Sequence, residues 1–368
     1  MNIVLTNDAK DIAGGENFVL YLADGLREKE HNVFIAPLSN SELSKKTKEL
    51  GYTVFDVPYA QGGKEFKAVS VLYQQLKNKQ ITILHSNSNF DRTIAAFAGK
   101  FIRAKNFASV HSSMSISHNI THKFRNKYLI DHFIPDGYAT KKIMVEKDGI
   151  PGNKISVVHI GVPENMFMFS ESGRQKIRSE FGIDTEQIVI GAVSRLVEFK
   201  GHIFLMKAFK ELTGKFNNIK LLIVGDGPLG DSLKTEATNL GLSNIIFTGH
   251  RNDLSDILSS LDIFTQTSID FGGESFPIAM LDAMSVGLPL LASDVGDLKF
   301  MVEKNNGLLV EPKNISQITN SLKLLIESEK LRKNFGSESR KIFLEKFTIQ
   351  KMIDNIESLY LKELGQRG

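Results

Sequence analysis

The sequence predicts an α/β protein of two doubly wound parallel sheets, and three observations carry the expectation. Short apolar runs alternate with segments of helical period through both halves of the chain. The alternation breaks once, around 161–174, and then starts afresh. At 368 residues the chain also exceeds one ordinary core, so two domains of usual size are expected, over 1–165 and 166–348.

In the first series, residues 2–5 form an apolar run that leads to a loop containing Gly14-Gly15, after which Phe18, Val19, Tyr21, Leu22 and Leu26 recur at helical spacing. That order reads as strand, glycine loop, helix. Residues 33–36, 53–55 and 81–84 read as further strands, with helices over 41–50 and 67–77. The second series places strands at 189–193, 221–224, 245–247, 263–265 and 290–292, and helices at 202–212, 230–240, 254–258 and 276–286. An amphipathic helix over 349–364 follows. Strands alternating with helices imply a parallel sheet covered on both faces. Such sheets bind ligands beyond the carboxyl ends of their strands, and two of them facing one another make a cleft for a donor and an acceptor, closure of which would exclude water.

Composition removes several chemistries. The chain has no cysteine, which excludes disulfides, thiolate metal sites and cysteine nucleophiles. The first residues pass from Ile3-Val4-Leu5 into polar positions with no basic leader, so no signal peptide is expected. No apolar run reaches the roughly 18 residues of a membrane span, and a cytoplasmic address is the default expectation. Net charge is +3, with 21 Lys+Arg against 16 Asp+Glu in 1–165 and 24 against 26 in the rest. A basic half suits nucleic acid, an anionic membrane, an anionic substrate or an ordinary solvated face. Nothing resembles an RRM, zinc finger or helix-turn-helix, so nucleic acid is not expected. Lys123, Arg125, Lys127, Lys141 and Lys142 lie close together, compatible with peripheral docking on an anionic inner membrane leaflet.

Two clusters carry candidate chemistry. Arg195 and Lys200 lie five apart just after the strand 189–193 and before a helix. Two fixed cations there suit a diphosphate, bound or departing, in place of a metal; alone, they would be ordinary surface cations. The second cluster, Gly272-Gly273-Glu274-Ser275-Phe276-Pro277-Ile278-Ala279, follows the strand 263–265. Ser275 is the expected N-cap and Pro277 sits near the first turn, leaving the Ile278 and Ala279 amides as unpaired donors that attract phosphate. Glu274 would stand at the mouth of that helix and Asp282 eight residues along, roughly 12 Å at ~1.5 Å per residue. A carboxylate is a natural acceptor for paired hydroxyls, although Glu274 also suits a helix dipole and Asp282 a solvated helix position.

These residues resemble the retaining glycosyltransferases of family 4 (glycosyl transferases group 1), and the resemblance covers nearly the whole chain. Arg195 and Lys200 match the family's phosphate-binding Arg and Lys, Val224-Gly225-Asp226-Gly227-Pro228 its glycine turn, and Glu274 through Asp282 its paired-acid motif. Two departures stand out. The second acid is Asp282 where the family ordinarily has Glu, and Val158-His159-Ile160-Gly161-Val162 replaces a common Pro-Asn-Gly-Val. The resemblance implies the GT-B fold, two Rossmann-like domains facing across a cleft, with the helix 349–364 returning to brace the first.

It also implies the roles. Gly15, in the matching glycine loop, would approach the donor diphosphate. His111, in Ala108-Ser109-Val110-His111-Ser112, matches the active-site histidine near the donor sugar, while His85 at a strand end is a weaker candidate to face the acceptor. The stretch Gly249-His250-Arg251-Asn252-Asp253 matches the place where the nucleotide base is read, largely through backbone, so UDP- and GDP-sugars are not distinguished. Ser275, Phe276, Ile278, Ala279 and Asp282, with Gly225, Gly227 and Arg251, would complete the donor site. No permanently bound cofactor and no metal ligands are expected. The implied reaction moves a sugar from a nucleotide diphosphate sugar to a hydroxyl of a glycan, glycolipid or small molecule, with retention, in cell-surface glycan or glycolipid assembly. Glu274 would hold the sugar hydroxyls and the developing charge, and the departing diphosphate would rest on Arg195, Lys200 and the two amides. A nucleotide-sugar epimerase, a sugar phosphorylase, a two-lobed solute-binding protein and a transferase-like protein without activity are the alternatives.

Overall fold

The computed structural model describes residues 1–11, 14–59, 65–111, 114–269 and 276–365. The chain divides into two units, Met1–Gly161 with Ile349–Gly368, and Val162–Thr348. Residues 162–165 go with the second unit because the Val162 amide donates to Phe347 O at 3.0 Å and Val162 bridges Thr348.

The first unit holds six parallel strands: β1 Asn2–Asn7, β2 Asn32–Pro37, β3 Thr53–Val54, β4 Ile83–Ser86, β5 Lys105–Val110 and β6 His132–Pro135, in the order β3-β2-β1-β4-β5-β6. The central strands are apolar at consecutive positions because both faces are covered. Ile3 and Leu5 point to one side, where Phe18, Leu22 and Leu26 pack, and Val4 to the other, against Leu84, Ile94 and Leu72. The helix Ile349–Glu363 completes the first of these faces. Met352, Ile353, Ile356 and Tyr360 form its buried stripe against the helix Gly14–Glu28, and a Cβ on Gly25 would lie 1.9 Å from Ile353 Cδ1, so close packing of the two helices requires glycine there. Each fully buried apolar side chain of this kind contributes about 1.5–3 kcal/mol. Lys29 and His31 both bond Glu357 at 2.7 Å along the edge.

The second unit repeats the plan with β7 Ile188–Val193, β8 Ile219–Val224, β9 Ile245–Gly249, β10 Ile263–Gln266, β11 Leu290–Ser293 and β12 Gly307–Val310, in the order β12-β11-β10-β7-β8-β9. Its two apolar layers lie on opposite faces, one around Phe264, Met280 and Phe343, the other around Leu205, Phe209 and Leu322.

Local sequence explains where the elements begin. Ser41 is the N-cap of the helix Glu42–Glu49, its hydroxyl accepting from the Ser44 amide at 3.1 Å, so this helix starts one residue later than periodicity suggests. Gly14 and Gly15 are not a loop: they form the first turn of the helix Gly14–Glu28. The helix expected to begin at 276 begins instead at Ile278, with Pro277 as its N-cap at ψ 117°, an extended conformation that ends helical hydrogen bonding there. The N-cap role assigned to Ser275 therefore falls to Pro277. Ser275 itself lies outside the described residues, as does Glu274.

Candidate active site

In a doubly wound sheet the loops part where the strand order reverses. In the second unit that point lies between β7 and β10. Arg195 follows β7 directly and is exposed, with no ion pair among the described residues. Lys200 closes the short 3-10 turn Glu198–Lys200, its Nζ 5.3 Å from the centre of the Phe199 ring. Gly201 follows with φ +68°, and a Cβ there would stand 2.0 Å from Thr267 O, so the loop after β7 lies tight against the loop after β10. The Ile269 amide donating to Phe199 O at 2.8 Å ties the two. Residues 270–275, which contain Glu274, come next in the chain and lie outside the described residues.

Gly225 and Gly227 act on the Arg195 loop from behind. A Cβ on Gly225 would lie 2.1 Å from Ser194 O, and one on Gly227 2.6 Å from Leu196 O. The Ser194 and Leu196 amides donate to Val224 O and Asp226 O at 3.0 and 2.9 Å. The glycine turn thus holds the backbone carrying Arg195. His202, which the sequence reading passed over, does the same from the other side, its Nε2 3.0 Å from the Ser194 hydroxyl. Burial, and then Lys200, push its pKa down to about 4. Its place directly after Lys200-Gly201 at a helix start was the available signal.

Ile278 and Ala279 occupy the first turn of the helix Ile278–Val286, where amides have no partner within the helix. Phe276 is buried in the apolar layer and its ring lies 5.5 Å from that of Phe347, so its side chain anchors the turn from within the core. Asp282 is only 6% exposed, and its Oδ1 has no hydrogen-bond partner among the described residues. Burial alone raises its pKa to about 7. It is not the solvated helix position that its sequence also allowed. Arg251 differs most from expectation: its guanidinium takes both Glu180 carboxylate oxygens at 2.6 and 2.9 Å and both Asp253 oxygens at 2.8 Å. That fork is filled, so the Arg251 guanidinium is committed to these two carboxylates.

In the first unit the strand order reverses between β1 and β4. Thr6 donates to Asp91 at 2.6 Å, Asp91 accepts the Asn87 and Ser88 amides at 3.0 and 3.1 Å, and Asp8 accepts the Ser88 hydroxyl and the Phe90 amide. Burial, then Asp8, raises the Asp91 pKa to about 7. These scattered residues form no motif, and the sequence reading did not find them. His111 follows β5, with its ring edge-on to Phe18 at 4.7 Å. Its Nδ1 is 3.9 Å from Asp136 Oδ2, too far for a hydrogen bond, and both ring nitrogens lack partners among the described residues. Burial, and then the Arg92 guanidinium, push its pKa to about 4, so the ring is neutral at pH 7. His85 is fully buried, bonded to Tyr360 and to the Ser109 hydroxyl at 2.8 Å, and holds the core; it does not face an acceptor. Of the five basic residues grouped from the sequence, Arg125 is buried and Lys141 donates to Ile155 O at 3.1 Å, which leaves Lys123, Lys127 and Lys142 exposed.

No helix of the described residues is long and apolar enough to cross a membrane. Residues 12–165 match the family described as Glycosyltransferase Family 4, and residues 173–342 that described as Glycosyl transferases group 1. A UDP-Gal:alpha-D-GlcNAc-diphosphoundecaprenol alpha-1,3-galactosyltransferase of Escherichia coli is 26% identical over 322 residues, 81% of this chain and 80% of that protein. The capsular polysaccharide biosynthesis glycosyltransferase CapM of Staphylococcus aureus is 27% identical over 214 residues, 56% of this chain and 55% of that one. The crystal structure of Anabaena Alr3699/HepE in complex with UDP is similar in fold, with a TM-score of 0.84 at 20% identity over 98% of this chain and 100% of that chain. With both of its units matched, one to each model, and a six-stranded parallel sheet in each, the chain belongs to the family 4 glycosyltransferases of the GT-B fold.

Proposed function

We propose that the protein transfers a sugar from a nucleotide diphosphate sugar, UDP- or GDP-linked, to a hydroxyl acceptor in cell-surface glycan or glycolipid assembly, with retention and without a metal. The observation that carries the reading is Asp282, a buried carboxylate with an oxygen that has no partner among the described residues, on the helix whose first turn offers the Ile278 and Ala279 amides. Ligand hydroxyls are the partners that such a group lacks. The amides and Arg195, with Lys200, would take the diphosphate and stabilise it as it leaves, the largest catalytic contribution where charge develops on the leaving group.

Glu274 would hold the donor sugar, Ser275 and Phe276 would contribute backbone, Gly15 would meet the diphosphate, and neutral His111 would position sugar and acceptor. The acceptor would attack on the face the diphosphate leaves, its proton passing to a phosphate oxygen. Peripheral contact with an anionic inner leaflet, through Lys123, Lys127 and Lys142, and a cytoplasmic address complete the reading. Isothermal titration with UDP- and GDP-sugars, then NMR of the product anomer, tests it. One donor class binding in wild type and failing in Arg195→Ala, with activity unchanged in EDTA and a retained anomer, is the expected result. No binding by any nucleotide, or an inverted product, would overturn it.

A further inference from the structure

The first unit contains a cavity of about 770 Å³ that none of the residues proposed above for donor or catalysis lines. Its wall comes from the helices Glu65–Leu76 and Asp91–Ile102 and the segment 116–125. Two features set it apart. Phe66 and Phe101, which line it, are 85% and 64% exposed, and Phe90, a further lining residue at the opposite end of the helix Asp91–Ile102 from Phe101, is also exposed, so apolar side chains border the cavity along the length of that helix in the way that marks a binding surface. Two guanidiniums, Arg92 and Arg125, line it while being almost wholly buried.

Neither arginine pairs with a carboxylate among the described residues. Arg92 donates to Ser109 O at 2.9 Å and to Asn89 Oδ1 at 3.4 Å, and its buried Nε has no partner among the described residues, although the side chain is only 2% exposed. Arg125 donates to Asn126, Thr93 and Ile116 O, all neutral. The nearby carboxylates are engaged elsewhere: Asp91 by Thr6 and two amides, Asp148 by the Ser115 hydroxyl and the amides of Ile116 and Ser117. Burial, and then the neighbouring Arg92, lower the Arg125 pKa to about 9 against the opposing pull of Asp91 and Asp148. Asp91 and Asp148 attract both guanidiniums, and Asp8 attracts Arg92, only from a distance, and a buried guanidinium with no directly paired counter-charge is costly unless an anion arrives to pair with it. Arg92 is also the charge that acts on His111, so the arginine end of the cavity lies toward that ring.

We infer that this cavity binds the acceptor, and that the acceptor is a phosphate-bearing amphiphile. Its phosphate sits on Arg92 and Arg125, and its hydrocarbon chain leaves across Phe66, Phe90 and Phe101. The inference rests on the glycosyltransferase reading and names the class of its second substrate. An apolar rim without buried cations would suit a neutral lipid, and buried cations without the rim would suit a soluble phosphate; the combination calls for both groups in one molecule.

The test is calorimetric titration of the intact chain with dodecyl phosphate below its micelle concentration, dodecyl maltoside and inorganic phosphate, with a nucleotide sugar titrated into the same samples. Dodecyl phosphate should bind at one per chain, at least ten-fold tighter than either other probe. Arg92→Gln should erase its advantage over the maltoside. The surface variants Phe66→Ser and Phe101→Ser, which leave the interior untouched, should weaken dodecyl phosphate at least five-fold and leave inorganic phosphate unchanged. Equal binding of inorganic phosphate, or equal binding of the maltoside, would overturn the inference, as would no response to dodecyl phosphate. If the nucleotide sugar still binds in that case, the donor reading stands and only the acceptor class falls; if neither binds, the donor reading falls as well.

Discussion

If Asp282 takes the donor hydroxyls as proposed, its buried carboxyl gives donor binding a proton-linked signature. Without ligand its carboxyl is buried, and desolvation sets its pKa at about 7, so about half of the molecules carry the proton at pH 7. Two donor hydroxyls bonded to it would favour the charged form and return the pKa toward the ordinary carboxylate range. Binding then releases about half a proton at pH 7 and about nine-tenths at pH 6, and the affinity rises about ten-fold between pH 6 and pH 8. A nucleotide sugar is the right titrant because its diphosphate is a diester and does not itself titrate in this window. Calorimetry in buffers of different ionisation enthalpy counts the protons directly. In Asp282→Asn the release should vanish and the pH dependence flatten, with affinity at pH 8 lower by about 1.5–3 kcal/mol for a lost charged hydrogen bond. The unliganded variant should also be more stable than wild type at pH 8, by up to about 4 kcal/mol, because it no longer ionises a buried acid. Proton release below a tenth, or the same release in Asp282→Asn, would refute the reasoning.

Three further outcomes are expected. Arg195→Ala should lower kcat about 10²–10³-fold, while urea unfolding moves by less than about 0.5 kcal/mol, since the side chain is exposed and unpaired; a normal kcat would remove Arg195 from the leaving-group site. Gly225→Ala should cost about 1–3 kcal/mol of stability, from a Cβ 2.1 Å from Ser194 O at φ +129°, and should weaken donor binding through the shifted Arg195 backbone; unchanged stability and affinity would contradict the supporting role given to the turn. His85, His111 and His202 have folded pKa values of about 3, 4 and 4, below their unfolded 6.5, so their contribution is complete above pH 6.5 and is lost as the pH falls through the folded values. Asp91 and Asp282, raised to about 7, oppose them by weakening the fold as pH rises from about 4 to 7. Unfolding midpoints should therefore change little between pH 5 and 6.5 in wild type and rise with pH in Asp282→Asn; parallel profiles would show that Asp282 titrates normally.

Much of the architecture was legible because a parallel sheet buried on both faces needs continuous apolar runs, and those runs stand out between polar segments. The strands of both units around β1, β7, β8 and β10 were found within a few residues on that signal. The helices Asp91–Ile102, Ile315–Glu327 and Glu329–Lys346 and the strand Gly307–Val310 were not read. In Asp91–Ile102 the buried positions are largely alanine and glycine, along with Asp91 and Arg92, so little hydrophobic contrast marks its face. The site divides in the same way. Arg195, Lys200 and Asp282 are compact in sequence and sit at strand ends or on the helix beside them, whereas Asp8, Asp91, Arg92 and Arg125 meet only through the sheet. Arg251 shows the converse: its place in the chain suggested a ligand contact, and its chemistry is consumed by Asp253 two residues on and by Glu180, far away in sequence.

The helix Ile349–Glu363 has a consequence for the order in which the molecule forms. It supplies Ile353, Ile356 and Tyr360 to the face built by residues near the amino terminus, yet the whole of the second unit is translated before it. On the ribosome, the newly made first unit waits with Leu22 and Gly25 uncovered and His85 without its phenol partner, while Val162–Thr348 can already close its own core. The unit made earlier of the two is thus the one completed last, and the interval is when that uncovered face is open to chaperones or to sticking to another nascent chain.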